Sequence, residues 1–380
     1  MKKNALAGLT PAGFMRGHWQ KKPLFAPLAL PEYAGVVTRD NLFALAQCDD
    51  VESRIVQKSR GSWRVRQGPF APTDLARLPR AGWTLLVQGV DQKLWPAARL
   101  LQEFSFIPYA RLDDVMVSYA APGGGVGPHF DSYDVFLLQG LGQRRWQVSR
   151  QRDLELIDEA PVKILQRFVP TQEWLVNPGD LLYLPPKCAH NGIAVSECIT
   201  YSIGFRASSA QELGQRFLEF LEDRLELQGT YADPQLRATA TPGRLPQQMK
   251  KRAAVVLDQL RWGRSDIDEF LGIHLTEPKA NVIFGPPRRC LAQGPFIRRI
   301  HVAGIRLSLP SRMLTSGRRI FMNGEASLVG RGALMALQAL ADRRRLEPSF
   351  ELDGEAARLL YNWYCVGYVE IGTQPGRRIG

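Results

Sequence analysis

The sequence predicts an α+β chain: a β-barrel or sandwich, then a helical stretch, then a small unit of helices and a strand. Three observations carry the prediction. Residues 113–205 break into short apolar runs punctuated by Gly/Pro turns, the pattern of antiparallel barrels and sandwiches. Residues 207–265 switch to the period of amphipathic helices. Residues 271–380 return to a mixture of the two. A chain of 380 residues has room for two or three domains, and the divisions are expected at 1–206, 207–270 and 271–380. Its 45% hydrophobic and 23% charged content excludes wholesale disorder.

In the first hundred residues, 75–80 and 94–106 read as helices and 84–90 as a short buried strand. Residues 114–119 read as a strand, followed by the turn Ala121-Pro122-Gly123-Gly124-Gly125-Val126-Gly127-Pro128. Residues 134–139 and 144–148 are strands around Gly140-Leu141-Gly142. Residues 173–176 lead into Asn177-Pro178-Gly179-Asp180, a strong turn signal. Residues 181–184 and 199–205 complete the series. Leu213, Phe217, Phe220, Leu221 and Leu225, then Met249, Ala253, Val256, Leu257 and Leu260, mark an all-α unit suited to a dimer interface. Residues 334–340 and 355–364 read as helices and 367–371 as a strand, a winged-helix-like pattern.

The excess of 49 Lys+Arg over 37 Asp+Glu invites a nucleic-acid or ribosome reading. That excess is local, because residues 281–380 hold 15 Arg, no Lys and 7 acidic residues. These arginines stand in scattered pairs rather than along one helix. They read as a solvated face, so direct nucleic-acid binding is not the primary function expected. Five cysteines without a C-x-x-C exclude a disulfide framework or a structural zinc site and fit a reducing cytoplasm. The basic opening Met1-Lys2-Lys3-Asn4 leads into an apolar run that Thr10-Pro11 ends too early for a signal-peptide core. No stretch approaches the ~20 apolar residues that span a bilayer. A soluble, cytoplasmic protein is expected.

Histidines are scarce, and the informative pair is His129 and His190. In Gly127-Pro128-His129-Phe130-Asp131, His129 and Asp131 are two apart, which on a strand puts both side chains on one face. An H-x-D pair alone reads as a surface pair. Glycine punctuation before it, the β context and a Pro-Gly-Asp turn leading to His190 favour a metal site. Two histidines and a carboxylate form the facial triad of non-haem Fe(II) oxygenases, leaving open positions for a bidentate 2-oxo acid and O2. Cys188, beside His190, is read as facing away from the site. His18, His274 and His301 have no partners at metal spacing.

A 2-oxo diacid needs a cation for its far carboxylate, and Arg144 or Arg145 could supply it. Alternation puts only one of them inside, and spacing does not say which. Asp114, Met116 and Ser118 share one face of their strand. From the residues alone Asp114 reads as a rim carboxylate beside a core Met116, with anchoring of a cationic side chain as the functional alternative. The Gly123–Gly127 loop is no nucleotide cradle, since no Lys-Ser/Thr follows it.

The run Gly123-Gly124-Gly125-Val126-Gly127-Pro128-His129-Phe130-Asp131-Ser132-Tyr133-Asp134-Val135-Phe136 closely resembles the JmjC-type ribosomal oxygenases. Gln139-Gly140-Leu141-Gly142-Gln143-Arg144-Arg145-Trp146 and His190 continue the likeness. His18-Trp19-Gln20-Lys21-Lys22-Pro23-Leu24 looks like the family's N-terminal signature. The resemblance covers essentially the whole chain and is most specific over 114–146; Phe130 departs from the pattern where no chemistry is carried. It implies a JmjC/cupin double-stranded β-helix barrel, a helical dimerisation region and a C-terminal winged-helix-like domain, in a homodimer. It further implies the bacterial branch, which hydroxylates the β-carbon of an arginine in the sixteenth large-subunit ribosomal protein. By resemblance His129, Asp131 and His190 bind Fe(II), and Arg144 with Ser118 binds the co-substrate 2-oxoglutarate. Asp114, Met116, Tyr133 and Ser202 match the pocket for the substrate arginine. Two other readings compete: a cupin-type metal enzyme acting on a small molecule, which leaves the last two regions unexplained, and a winged-helix nucleic-acid-binding regulator.

Overall fold

The computed structural model describes residues 6–59 and 61–372, so the basic opening Met1–Asn4 and the terminal Arg377 and Arg378 lie outside the described residues. The first half carries four helices, α1 (Pro11–Gly17), α2 (Arg39–Leu45), α3 (Pro72–Ala76) and α4 (Trp95–Gln102). Its strands are β1 (Leu24–Ala26), β2 (Ser53–Ser59), β3 (Ser62–Gln67), β4 (Trp83–Val87), β5 (Leu112–Ala120), β6 (Val135–Leu141), β7 (Arg144–Ser149), β8 (Gln172–Val176), β9 (Leu181–Leu184), β10 (Ala189–Ala194) and β11 (Cys198–Phe205). The larger sheet runs β1-β9-β6-β11-β5-β4-β2-β3 and the smaller β10-β7-β8. A cavity lies between them, the expected double-stranded β-helix barrel.

The apolar runs that bounded the strands have a physical cause. The larger sheet is covered on both faces, so β6 and β9 are apolar at nearly successive positions rather than at alternate ones. Along β6, Phe136 and Leu138 join the core beneath the N-terminal helices, while Val135 and Leu137 point the other way, toward Trp146 and Val148 of the smaller sheet. Phe136 is the hub of the outer core. Its ring centroid lies 5.4 Å from Phe14, 4.6 Å from Phe104 and 4.9 Å from Tyr183. The N-terminal signature packs here too, with Trp19 on Tyr183 and Phe205.

Where the structure departs from the sequence reading, local chemistry explains it. The helix expected over 75–80 is α3, ending at Ala76, because Leu78 precedes Pro79 and is disfavoured in helical backbone. The β2–β3 hairpin escapes notice because it is rich in Arg, Lys, Gln and Ser, with no clean alternation. His129 and Asp131 do not share a regular strand: His129 forms an isolated bridge to His190, and Asp131 lies in a loop.

The second half begins with α5 (Ala210–Glu222), α6 (Gln247–Leu257) and α7 (Arg264–Thr276). Neither α5 nor α6 buries a residue. Phe217 and Phe220 of α5 meet Phe270 of α7, and Gly272 of α7 lets that helix lie on Phe321. Then follow α8 (Gln293–Ala303), β12 (Ile305–Leu307), β13 (Met313–Ser316), β14 (Arg319–Met322), β15 (Glu325–Leu328), α9 (Arg331–Arg343), β16 (Arg345–Leu346), α10 (Gly354–Val366) and β17 (Val369–Ile371). Two small sheets, β16-β12-β17 and β13-β14-β15, enclose with these helices a separate core around Phe296, Leu337, Leu360 and Trp363.

Phe136→Ala is expected to lower the unfolding free energy by about 3–5 kcal/mol, the usual cost of emptying a fully packed phenylalanine site. Urea denaturation followed by circular dichroism measures it, and a loss below about 1 kcal/mol would contradict the hub role.

Candidate metal centre and its cavity

His129 and His190 face each other through reciprocal backbone hydrogen bonds. The His129 N–H donates to the His190 carbonyl at 2.9 Å, and the His190 N–H to the His129 carbonyl at 2.8 Å. Directly opposed residues of an antiparallel pair project to the same side, so the imidazoles meet with centroids 4.2 Å apart. The Lys187 N–H donates to the Asp131 carbonyl at 2.7 Å and draws that loop beside β10. Asp131 Oδ2 then lies 3.7 Å from His190 Nε2. One ligand atom from each of His129, Asp131 and His190 lies within 4.8 Å of the others.

The tautomers suit a metal. His129 Nδ1 lies 2.9 Å from the Gly127 carbonyl and His190 Nδ1 2.9 Å from the Cys188 carbonyl. A carbonyl only accepts, so both Nδ1 atoms carry a proton, and in the neutral imidazole the Nε2 atom then keeps a free lone pair for a metal. Such second hydrogen bonds orient metal-binding histidines. Burial and neighbouring His129 push the His190 pKa down to about 4, against the pull of Asp131, so this imidazole is neutral near pH 7. Gly127 is required here. Its φ is +82°, and a Cβ would stand 2.8 Å from the Trp63 ring. Cys188 is two residues before His190, not adjacent to it as the sequence reading had it, and its Sγ donates to the Ser149 carbonyl.

Of the two arginines on β7, the structure turns Arg144 inward, only 4% exposed, and Arg145 outward to Glu173. Arg144 Nη1 donates to Ser118 Oγ and Thr200 Oγ1, each at 3.1 Å. Its guanidinium lies over Trp146, its Nε has no partner, and no carboxylate pairs with it among the described residues. Burial pulls its pKa down from the ordinary arginine range. A buried cation without a counter-ion is expensive, and a ligand carboxylate would complete it.

At the other end stands Asp114, 3% exposed. Gln88 Nε2 donates to both its oxygens at 2.9 and 2.8 Å, and Lys279 Nζ donates to Oδ2 at 3.1 Å. The rim-carboxylate reading is therefore corrected: Asp114 is a buried wall residue. Met116 pairs with Ser202 across β5 and β11, and Ser118 with Thr200. A single cavity of about 540 Å³ is lined by all nine anticipated residues: His129, Asp131, His190, Arg144, Ser118, Asp114, Met116, Tyr133 and Ser202. Sequence reasoning missed Gln88, Thr84 and Thr200. Thr84 and Thr200 lie on β4 and β11 and Gln88 directly follows β4, and Thr84 Oγ1 is buried without a partner, but a lone Thr or Gln in an apolar run carries no spacing signal.

A barrel whose cavity joins two metal-ready histidines and a carboxylate to a buried, unpaired arginine defines a metal-dependent oxygenase of the JmjC type. Residues 99–213 match the JmjC domain and residues 259–370 the ROXA-like winged helix. The chain belongs to the JmjC-type ribosomal oxygenases. It is 34% identical over 326 residues to the ribosomal protein uL16 3-hydroxylase of Escherichia coli K12, covering 82% of this chain and 84% of that one. It is 40% identical over 210 residues to a probable ribosomal oxygenase of Haemophilus influenzae, covering 54% and 52%. The crystal structure of E. coli YcfD superposes with a TM-score of 0.84 at 30% identity, over 95% of this chain and 98% of that one. YcfD in complex with cobalt and 2-oxoglutarate superposes with a TM-score of 0.81 at 29% identity and the same coverage.

Replacing Arg144 by methionine removes a buried, unpaired charge while Thr200 Oγ1 keeps Gln139 Oε1 as acceptor at 2.9 Å. Arg144→Met is therefore expected to leave the unfolding free energy equal or raised by up to about 2 kcal/mol. A clear fall in the urea midpoint would show that the guanidinium serves the fold.

Proposed function

We propose that this chain is an Fe(II)- and 2-oxoglutarate-dependent oxygenase that hydroxylates the β-carbon of an arginine in the large-subunit ribosomal protein uL16. The carrying observation is the cavity that places a two-histidine, one-carboxylate cluster, an uncompensated buried arginine and a buried aspartate in one wall system. The donor set fits the metal: two neutral nitrogen ligands and one carboxylate suit Fe(II) and leave positions open. The acid site fits the co-substrate, because Arg144 has unused donors and Ser118 stands beside it.

When bound, the iron with 2-oxoglutarate and O2 supplies the oxidising power, the co-substrate leaving as succinate and CO2 and one oxygen atom entering the C–H bond. The chain's own residues do the rest. His129, Asp131 and His190 would hold the metal through three protein ligands and leave coordination positions for reactants. Arg144 and Ser118 take the far carboxylate of 2-oxoglutarate and fix its reach toward the metal. Asp114 receives the guanidinium of the substrate, with Met116 and Tyr133 along its methylenes and Ser202 on the facing strand. Holding the cationic end of the side chain aligns a carbon near its base with the metal, which is the positional contribution a protein makes to such chemistry. Tyr133, 38% exposed, stands where the side chain would enter.

The reading includes a catalytic domain over 1–206, a helical dimerisation region over 207–270 and a winged-helix-like unit over 271–380, with α7 spanning the last border. Support for a homodimer is the pair α5 and α6, none of whose residues is buried and which expose Leu218, Val255 and Leu257, with Trp262 exposed just after α6. A cytoplasmic site of action follows from a ribosomal-protein substrate; no described helix is long and apolar enough to cross a membrane.

Incubation with Fe(II), 2-oxoglutarate and a uL16 peptide is expected to add one oxygen, about 16 Da by mass spectrometry, to an arginine. His129→Ala is expected to abolish this product. Asp114→Ala should lower peptide use by about tenfold or more while divalent-metal binding persists by calorimetry. No product, with a control oxygenase active in the same mixture, would refute the assignment. Sedimentation should give twice the monomer mass, and Leu218→Glu with Val255→Glu should return it to the monomer.

A further inference from the structure

Asp114 and Gln88 line two cavities at once. One is the main cavity with the metal cluster. The other is a small outer one of about 20 Å³, shared with Asp50, Gly89, Lys279 and Asn281. Lys279 lines only the outer one, so its ammonium reaches the Asp114 carboxylate through the back of the wall. It comes from the segment between α7 and α8, which Asn281 ties to the barrel by donating to the Asp50 carbonyl at 3.1 Å.

Charge is shared unevenly at this seam. Lys279 Nζ lies 3.2 Å from Asp113 Oδ1 and 3.1 Å from Asp114 Oδ2. Asp113 also has Arg206 and Arg312, each at 3.7 Å. Among the described residues Lys279 is the one cation within ion-pair distance of Asp114. The exposures differ as well: the Asp114 side chain is 4% exposed and the Lys279 side chain 38%. A carboxylate offers roughly four lone-pair positions. Gln88 takes one on each oxygen and Lys279 a second on Oδ2, which leaves Oδ1 open.

We propose that Lys279 is a positioning residue for the substrate arginine, holding the Asp114 carboxylate from behind as an oriented anchor whose inner side stays free for the guanidinium. The proposal rests on the reading of Asp114 as the arginine anchor. It gives the C-terminal half of the chain a direct part in substrate binding, through one side chain that never enters the main cavity.

The test is a cycle between enzyme and substrate. Binding is measured by calorimetry on the full-length enzyme with Fe(II) and 2-oxoglutarate under anaerobic conditions. The two ligands are a uL16 peptide and the same peptide with the target arginine replaced by glutamine. Lys279→Met is expected to weaken the arginine peptide by about tenfold or more and to leave the glutamine peptide unchanged. Under turnover its KM rises while kcat holds. Lys279→Arg restores the affinity, and Lys279→Gln repeats the loss should the methionine variant fold poorly. Arg312→Met removes a seam cation from Asp113 without touching Asp114 and leaves the arginine peptide's affinity unchanged. Equal losses for both peptides, tighter binding without Lys279, or a matching loss in Arg312→Met would overturn the proposal. If the unaltered enzyme binds both peptides alike, the arginine anchor itself is wrong, and the proposal falls with it.

Discussion

The structure of the site depends on one pair of backbone hydrogen bonds, between His129 and His190. No regular strand carries His129: the start of the glycine-rich loop is tied to β10 by the Gly123 N–H on the Ala194 carbonyl and the Ala194 N–H on the Gly124 carbonyl, and this bridge ties its end. The reciprocal pair sets the two imidazoles on the same side of the backbone, and two further carbonyls set their protons. Asp131 then falls into place because the Lys187 amide pulls the following residue pair against the same strand. The coordination geometry is thus dictated by main-chain groups, which do not vary with side chain. Only three side chains need to be chosen for the metal.

A second constraint is the cost of burying charge. The cavity keeps Arg144 without a counter-ion and keeps Asp114 nearly inaccessible to water, and neither arrangement favours the folded chain. Local rules are broken at functional sites and compensated elsewhere. Here the compensation is the outer aromatic core around Phe136, which buries the outer face of the sheet that carries Asp114 and Ser118. The two unusual charges sit at opposite chemical ends of the cavity, one suited to an anion and one to a cation, with the metal cluster in the same enclosure.

Much of this was legible in residue order, for physical reasons that differ by element. Strands β6 and β9 announce themselves because they are apolar, and β5, β7 and β11 because they are short β-type runs set among Gly/Pro turns. His129, Asp131 and His190 were legible as residue types, although the geometry that joins them is a bridge and a loop rather than one strand. Arg144 and Arg145 could not be separated by spacing, since the facing direction depends on where β7 enters the sheet. Asp114 looked like a rim residue because its partners, Gln88 and Lys279, are 26 and 165 residues away. Gln88, Thr84 and Thr200 stayed silent because their meaning lies in what they face. The helical block was legible by period, but the exposure of Leu218, Val255 and Leu257 is visible only once the described residues are seen to leave them uncovered.

The basic C-terminal region gains a different meaning once its side chains are placed. Arg344 turns back onto the carbonyls of Ser308, Leu309 and Ser311, and Arg312 onto those of Leu112 and Asp113 in the barrel. Arg306 pairs with Glu370 and lies over Trp95. These arginines stitch the C-terminal unit to itself and to the barrel, where their planar forks satisfy several acceptors at once. A recognition helix for nucleic acid would need them free and aligned. Instead Arg312 and Lys279 stand at the seam beside Asp113 and Asp114, while others such as Arg288, Arg298 and Arg331 remain an exposed, solvated face. The excess of arginine therefore bears on the chemistry through position: it fastens the C-terminal unit where one of its cations can stand behind the substrate's anchor.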